Sequence, residues 1–209
     1  MLEQVLQDQA VTPDPDTAQA QQIVPANPYY LSFAAEITPF TAQSLIGAVG
    51  AQVNAGYNEV HLLLSTPGGQ VADGLSIYNV LRALPVRVVT YNVGTVNSIG
   101  NVIFLAGAKR FASPTSSFMF HGVAANFAQQ ASLEEKQLKE RLQSVQNDQK
   151  LIADIIVRHS NMPLADVEKL FLETAFVTPD DAKRRGLIDD VINVQVPAGA
   201  LFHQLVFQK

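Results

Sequence analysis

At 209 residues, 47% of them hydrophobic, the chain can bury a sizeable core within one domain. A formal charge of −5 without a basic cluster argues against nucleic acid and anionic membranes as partners. The absence of cysteine excludes disulfides and thiolate metal sites. No secretory signal is visible at residues 1–9 and no apolar run reaches about 18 residues, so a cytoplasmic protein with no metal or cofactor is expected.

Residues 1–27, rich in Gln, Ala, Asp and Pro, read as a flexible arm with one short helix at Leu2–Leu6, ahead of a domain spanning 28–209. Tyr29 to Phe33 reads as a strand. The spacing predicts a helix from Thr41 to Ala55, stopped by Gly56. The apolar run Val60 to Leu64 reads as a strand buried on both faces, and so as part of a parallel sheet. It ends in Ser65-Thr-Pro-Gly-Gly69, a turn. Val71 to Leu84 is the next helix, with Leu75, Tyr78 and Leu81 on one stripe. Val86 to Val93, then a helix Ile99 to Leu105, then Phe118 to His121 repeat the strand–helix–strand theme.

The longest predicted helix runs from Ser132, with Ser132-Leu-Glu-Glu135 as a capping box, to about His159. Leu138, Leu142, Val145, Ile152 and Ile156 form its apolar stripe. A helix of that length, about 42 Å, exceeds what one domain covers, so part of it should project and pack on another subunit. Pro163 to Phe171 reads as a short helix. Thr178-Pro-Asp-Asp181 caps another that ends at Gly186, and Val191 to Val196 reads as a late strand.

Ser98 stands where the strand Val86 to Val93 runs into an apolar helix, and His121 follows 23 residues later. A serine at a helix start offers an exposed hydroxyl beside unpaired backbone N–H groups, the two requirements of acyl transfer. The competing role for Ser98 is a plain helix cap; for Gly68-Gly69 it is an ordinary turn, and for His121 a satisfied core histidine. His61 lies inside an apolar strand, His159 near a helix C-terminus and His203 in the tail, so none rivals His121.

The order of Ser65-Thr-Pro-Gly-Gly69-Gln-Val, Gly74-Leu-Ser-Ile-Tyr78, Asn97-Ser98-Ile-Gly100, Leu105-Ala-Gly-Ala-Lys-Arg-Phe111, Met119-Phe-His121 and Ala182-Lys-Arg-Arg-Gly186-Leu-Ile-Asp189 resembles the proteolytic subunit of the Clp protease family, within the Clp/crotonase superfamily. The resemblance covers roughly residues 29 to 195. It implies an α/β fold of the Clp/crotonase ββα-superhelix type with a projecting long helix. It also implies a serine peptidase acting on peptide or unfolded protein inside a homo-oligomeric ring, single or stacked. Ser98 matches the nucleophile and His121 the general base; the N–H groups of Ile99 and Gly69, the latter in the Gly68-Gly69 turn, match the oxyanion donors.

The chain departs from the family pattern in three places. Thr174 stands where the family carries an acid, with Glu173 beside it. A hydroxyl can fix the histidine tautomer but brings no charge; in the serine-protease template, a neutral amide in place of the aspartate costs about 10⁴ in kcat. Three arrangements follow, in order of preference: a slow Ser98–His121 pair oriented by Thr174, a triad completed by Glu173, and a ring without activity. Asn97 precedes the nucleophile where relatives carry a small apolar residue, and Gly122-Val123 replaces a polar-Pro pair. A non-catalytic scaffold subunit is therefore the alternative function, and a crotonase-type acyl-CoA enzyme a third. The Pro- and Gln-rich arm does not match the family's docking loop for an ATP-driven unfoldase, which leaves that partner open.

Overall fold

The computed structural model describes residues 26–124 and 134–207. The expected arm and its Leu2–Leu6 helix, up to residue 25, and the Ser132 cap lie outside them.

Strand β1 (Pro28–Ala34) leads to helix α1 (Pro39–Asn54). Thr38 accepts the Thr41 N–H at its start and Gly56, at φ +92°, ends it. Strand β2 (Glu59–Thr66), helix α2 (Val71–Ala83) and strand β3 (Arg87–Asn97) continue the alternation. β1, β2 and β3 are parallel neighbours, with Tyr29, Val60 and Val88 in register. Crossover helices between parallel strands leave one face roofed, and here α1 packs on α2 and α2 on the short helix α3 (Gly100–Phe104). Leu31, Phe33, Leu62 and Leu64 are fully buried beneath them.

Burial of β2 on both faces does not hold. Val60, Leu62 and Leu64 are buried, but His61 and Leu63 are half-buried. Among the described residues no helix roofs that second face; a ladder of rings does, Tyr30 on His61 at 4.4 Å, His61 on Tyr91 and Tyr91 on Phe111. His61 also lies 2.8 Å from Glu59 and from the Tyr91 hydroxyl, so its polar ring atoms are satisfied within the ladder.

β3 ends four residues beyond its apolar run, at Asn97 instead of Val93. Its first half pairs with β4 (Lys109–Ala112) and its second, Thr95 to Asn97, with β5 (Ser117–Phe120). This change of partner carries the strand up to Ser98 itself.

Helix α4 (Glu135–Arg158) has 24 residues, about 36 Å. The Glu134 N–H donates to Gln137 Oε1 at its start, so the described cap sits two residues beyond the expected one. Its stripe divides: Ile152, Ile155 and Ile156 are buried, whereas Leu138 and Leu142 are exposed. Helix α5 (Leu164–Glu173) follows, then strand β6 (Ala175–Val177), antiparallel to β5, and helix α6 (Pro179–Arg184) capped by Thr178.

The late strand is shorter than expected. β7 covers only Asp190–Val191, beside β4. The expectation missed β8 (Leu201–Leu205), which adds in parallel to the outer edge of β1 and places His203 in a strand. Phe207 follows it onto Phe33 and Phe40. The polar residues between Leu201 and Leu205 hide a strand whose pairing depends on a partner far away in the chain.

Candidate active site

Parallel strands deliver their C-terminal ends to one edge, where sites of α/β folds collect. There β2 ends in Thr66, whose buried hydroxyl accepts the Gly68 N–H at 3.1 Å. Gly68 and Gly69 adopt φ of +94° and +150°. A Cβ on Gly69 would lie 2.1 Å from the Ile37 carbonyl oxygen, and one on Gly68 2.7 Å from the Ser98 Cβ. Only glycine fits either place. The turn is held by Ile37, whose N–H donates to the Gly68 carbonyl and whose carbonyl accepts from Gln70. The Gly69 N–H donates to nothing among the described residues.

β3 runs straight into Ser98, which takes φ +56°. Ile99, not Ser98, occupies the cap position of α3, and the Ser98 hydroxyl accepts no N–H among the described residues. Ser98 is therefore not a helix cap. A non-glycine residue in this region costs about 1–3 kcal/mol and persists only when its surroundings fix it. Here the Ser98 N–H donates to Met119 O at 2.8 Å, while Asn101 Nδ2 donates to Ser98 O at 3.0 Å and Met119 O at 2.8 Å. Asn101 is buried. Sequence reading missed it; the available signal was an asparagine inside an otherwise apolar helix. The Ile99 N–H is also unpaired among the described residues. α3 has only five residues, so donors of this kind, more than a helix dipole, set the field at Ser98. Asn97 Oδ1 is buried without a partner beside it.

His121 follows β5. Its Nδ1 lies 2.7 Å from Gly122 O. A carbonyl can only accept, so Nδ1 carries the proton and Nε2 keeps its lone pair, the tautomer a general base needs. No hydrogen bond joins Ser98 Oγ to His121 among the described residues, but both line one cleft of about 160 Å³ with Gly69 and Ile99. Val71, Phe120, Ile152, Ile156 and Phe171 supply its apolar walls.

Thr174 closes α5 at φ +50°, an outlier for a β-branched residue. It stands one step beyond the Phe120–Ala175 pair, facing His121 in the β5–β6 register. Its side chain is exposed and makes no hydrogen bond to His121 among the described residues. Glu173, also exposed, lies 3.9 Å from Lys169 on its own helix. The cleft thus gathers Ser98, His121, Gly69 and Ile99, while neither Thr174 nor Glu173 bonds to the histidine. No group of three or more His, Asp and Glu that could hold a metal ion occurs among the described residues, and no described helix is long and apolar enough to cross a membrane.

The arrangement is that of a Clp/crotonase-type α/β domain, and comparison with known proteins agrees. The proteolytic subunit of an ATP-dependent Clp protease from Deinococcus radiodurans is 35% identical over 141 residues, which is 65% of this chain and 65% of that one. The chain therefore aligns with a little under two thirds of that relative's length. The sequence pattern of the Clp protease family matches residues 30–195, leaving β8 outside it. With that match spanning most of the chain, the protein belongs to the Clp protease family.

Proposed function

We propose that the protein is a serine peptidase that cleaves peptides or unfolded protein by acyl transfer. The observation that carries this reading is the strained backbone at Ser98 beside two unpaired N–H groups, in the cleft that also receives His121 with its Nδ1 proton held by Gly122. An extended peptide lies beside the Gly68–Gln70 segment and inserts an apolar side chain between Val71, Ile152 and Phe171. His121 rotates its Nε2 toward Ser98 and accepts the hydroxyl proton as Oγ bonds to the scissile carbonyl carbon. The oxygen's developing charge falls to the Gly69 and Ile99 N–H groups. The imidazolium then gives its proton to the leaving amine as the C–N bond breaks; water gives a proton to the same histidine as it attacks the acyl carbon, and the imidazolium returns that proton to Ser98 Oγ as the ester C–O bond breaks.

The Gly122 carbonyl takes the orienting place of the missing acid and supplies no charge to the imidazolium, so turnover is slow. We place the protein in a cytoplasmic homo-oligomeric ring. Leu138, Leu142, Leu172 and Phe176 are exposed on α4, α5 and β6, with Leu172 88% accessible, a pattern that soluble monomers seldom carry. The unbonded Ser98–His121 pair favours one rival, a non-catalytic subunit of the same ring. A fluorophosphonate probe decides between them. Labelling of Ser98, lost in Ser98→Ala with the fold intact, is expected; a folded protein that stays unlabelled overturns the assignment and supports the non-catalytic subunit.

A further inference from the structure

The cleft at Ser98 opens into a longer groove that shares Gly69, Val71, Val123 and Ala124 with it and continues between α4 and the start of α2. The lining of this second stretch is charged: Glu36 on one wall, Asp148 and Arg141 on the α4 wall. None of the three forms an ion pair among the described residues, whereas Lys136–Glu140 and Lys139–Glu135 pair along α4. Resting on the peptidase reading, we propose that Glu36, Asp148 and Arg141 set substrate specificity by selecting extended peptides with a basic residue near the cleaved bond and an acidic residue further along.

The helix supplies the ruler. Ile156 and Ile152 face the Ser98 cleft, and Asp148 and Arg141 face the groove, so α4 runs along it. At 1.5 Å per residue, Asp148 lies about 6 Å from the level of Ile152, and Arg141 about 16 Å. An extended peptide advances about 3.3 Å per residue. Its residue about two positions from the side chain in the apolar cleft thus passes Asp148, in a groove that Glu36 also lines, and the two carboxylates favour an ammonium or guanidinium there. The residue about four to five positions away reaches Arg141, whose fork of donors suits a carboxylate. Asp148 is half-buried, which shields its charge from water more than the rim charges are shielded.

The test uses the full-length protein and fluorogenic peptides with one leucine, carrying Lys and Glu at these offsets, the same charges exchanged, or Gln at both, in either chain direction. The ordered pattern should exceed the exchanged one in kcat/KM by about twofold to fivefold per charge, the range of partly exposed ion pairs. Asp148→Lys should invert the preference near the leucine and Arg141→Glu the distal one; the neutral variants Asp148→Asn and Arg141→Gln should erase each. Equal kcat/KM for ordered and exchanged peptides, with Ser98 still labelled by fluorophosphonate, overturns the inference and leaves the peptidase intact. Should neither cleavage nor labelling occur, fluorescence anisotropy with the same peptides takes over: charge-ordered binding that inverts in the variants supports the groove, and indifferent binding refutes it.

Discussion

Thr174→Asp changes the backbone and the electrostatics of the site together. Thr174 sits at φ +50°, where a β-branched side chain is strained and Asp or Asn is several-fold more common. Relief of that strain should stabilise the fold by about 0.5–1 kcal/mol, a rise of about 1–4 °C in Tm for a chain of this size. The same substitution sets a carboxylate one step beyond Phe120–Ala175, facing His121 across the β5–β6 pair. To act it must take the Nδ1 proton from Gly122 O, now 2.7 Å away. The template's loss of about 10⁴ on neutralising the aspartate is the ceiling. Because Thr174 is exposed and a carbonyl already fixes the tautomer, a gain of about 10- to 10³-fold in kcat is expected. Thr174→Asn separates the two effects, since it relieves the backbone without adding charge. The assay is kcat and KM on a fluorogenic leucine peptide, beside thermal unfolding of both variants. Equal rates for Asp and Asn would refute the electrostatic argument, and an unchanged Tm in both would refute the strain argument.

Asn101→Ala removes the two side-chain hydrogen bonds to the Ser98 and Met119 carbonyls, each of which keeps one backbone donor; a loss of about 1–3 kcal/mol in stability and a fall in fluorophosphonate labelling rate are expected, read by denaturant unfolding and labelling kinetics. Leu138→Glu with Leu142→Glu should shift the particle to a smaller species in light scattering while circular dichroism shows a folded subunit; a wild-type protein already monomeric near 22.6 kDa would defeat the ring. His159, 2.8 Å from the Tyr78 hydroxyl, has its pKa lowered by burial and then by Arg110, Arg82 and Arg158. Above its ordinary value of 6.5 it is neutral whether folded or not; as pH falls below that, the unfolded chain takes the proton first, so stability should drop there and the drop should shrink in His159→Gln, measured by unfolding midpoints across pH.

What local sequence dictates was legible without coordinates. The Gly68-Gly69 turn, the α1 stop at Gly56 and the Thr178 cap follow from backbone chemistry that acts within a few residues. The parallel sheet was expected from the Val60 to Leu64 run and is present, although the burial on both faces on which that expectation rested does not hold, and the order of motifs pointed to Ser98 and His121. Tertiary structure decided the rest, because pairing and burial depend on residues remote in the chain. β3 reaches Ser98 only because it leaves β4 for β5, and that change of partner cannot be read from Val86 to Val93 alone. The α4 stripe looks uniform, yet only the stretch over α3 and α5 is buried, leaving Leu138 and Leu142 exposed. β8 needs the open edge of β1, some 170 residues upstream, before its mixed sequence becomes a strand. The orientation of His121 turns on the Gly122 carbonyl, a main-chain atom common to every residue: composition names the side chains, but only the folded backbone aims its dipoles.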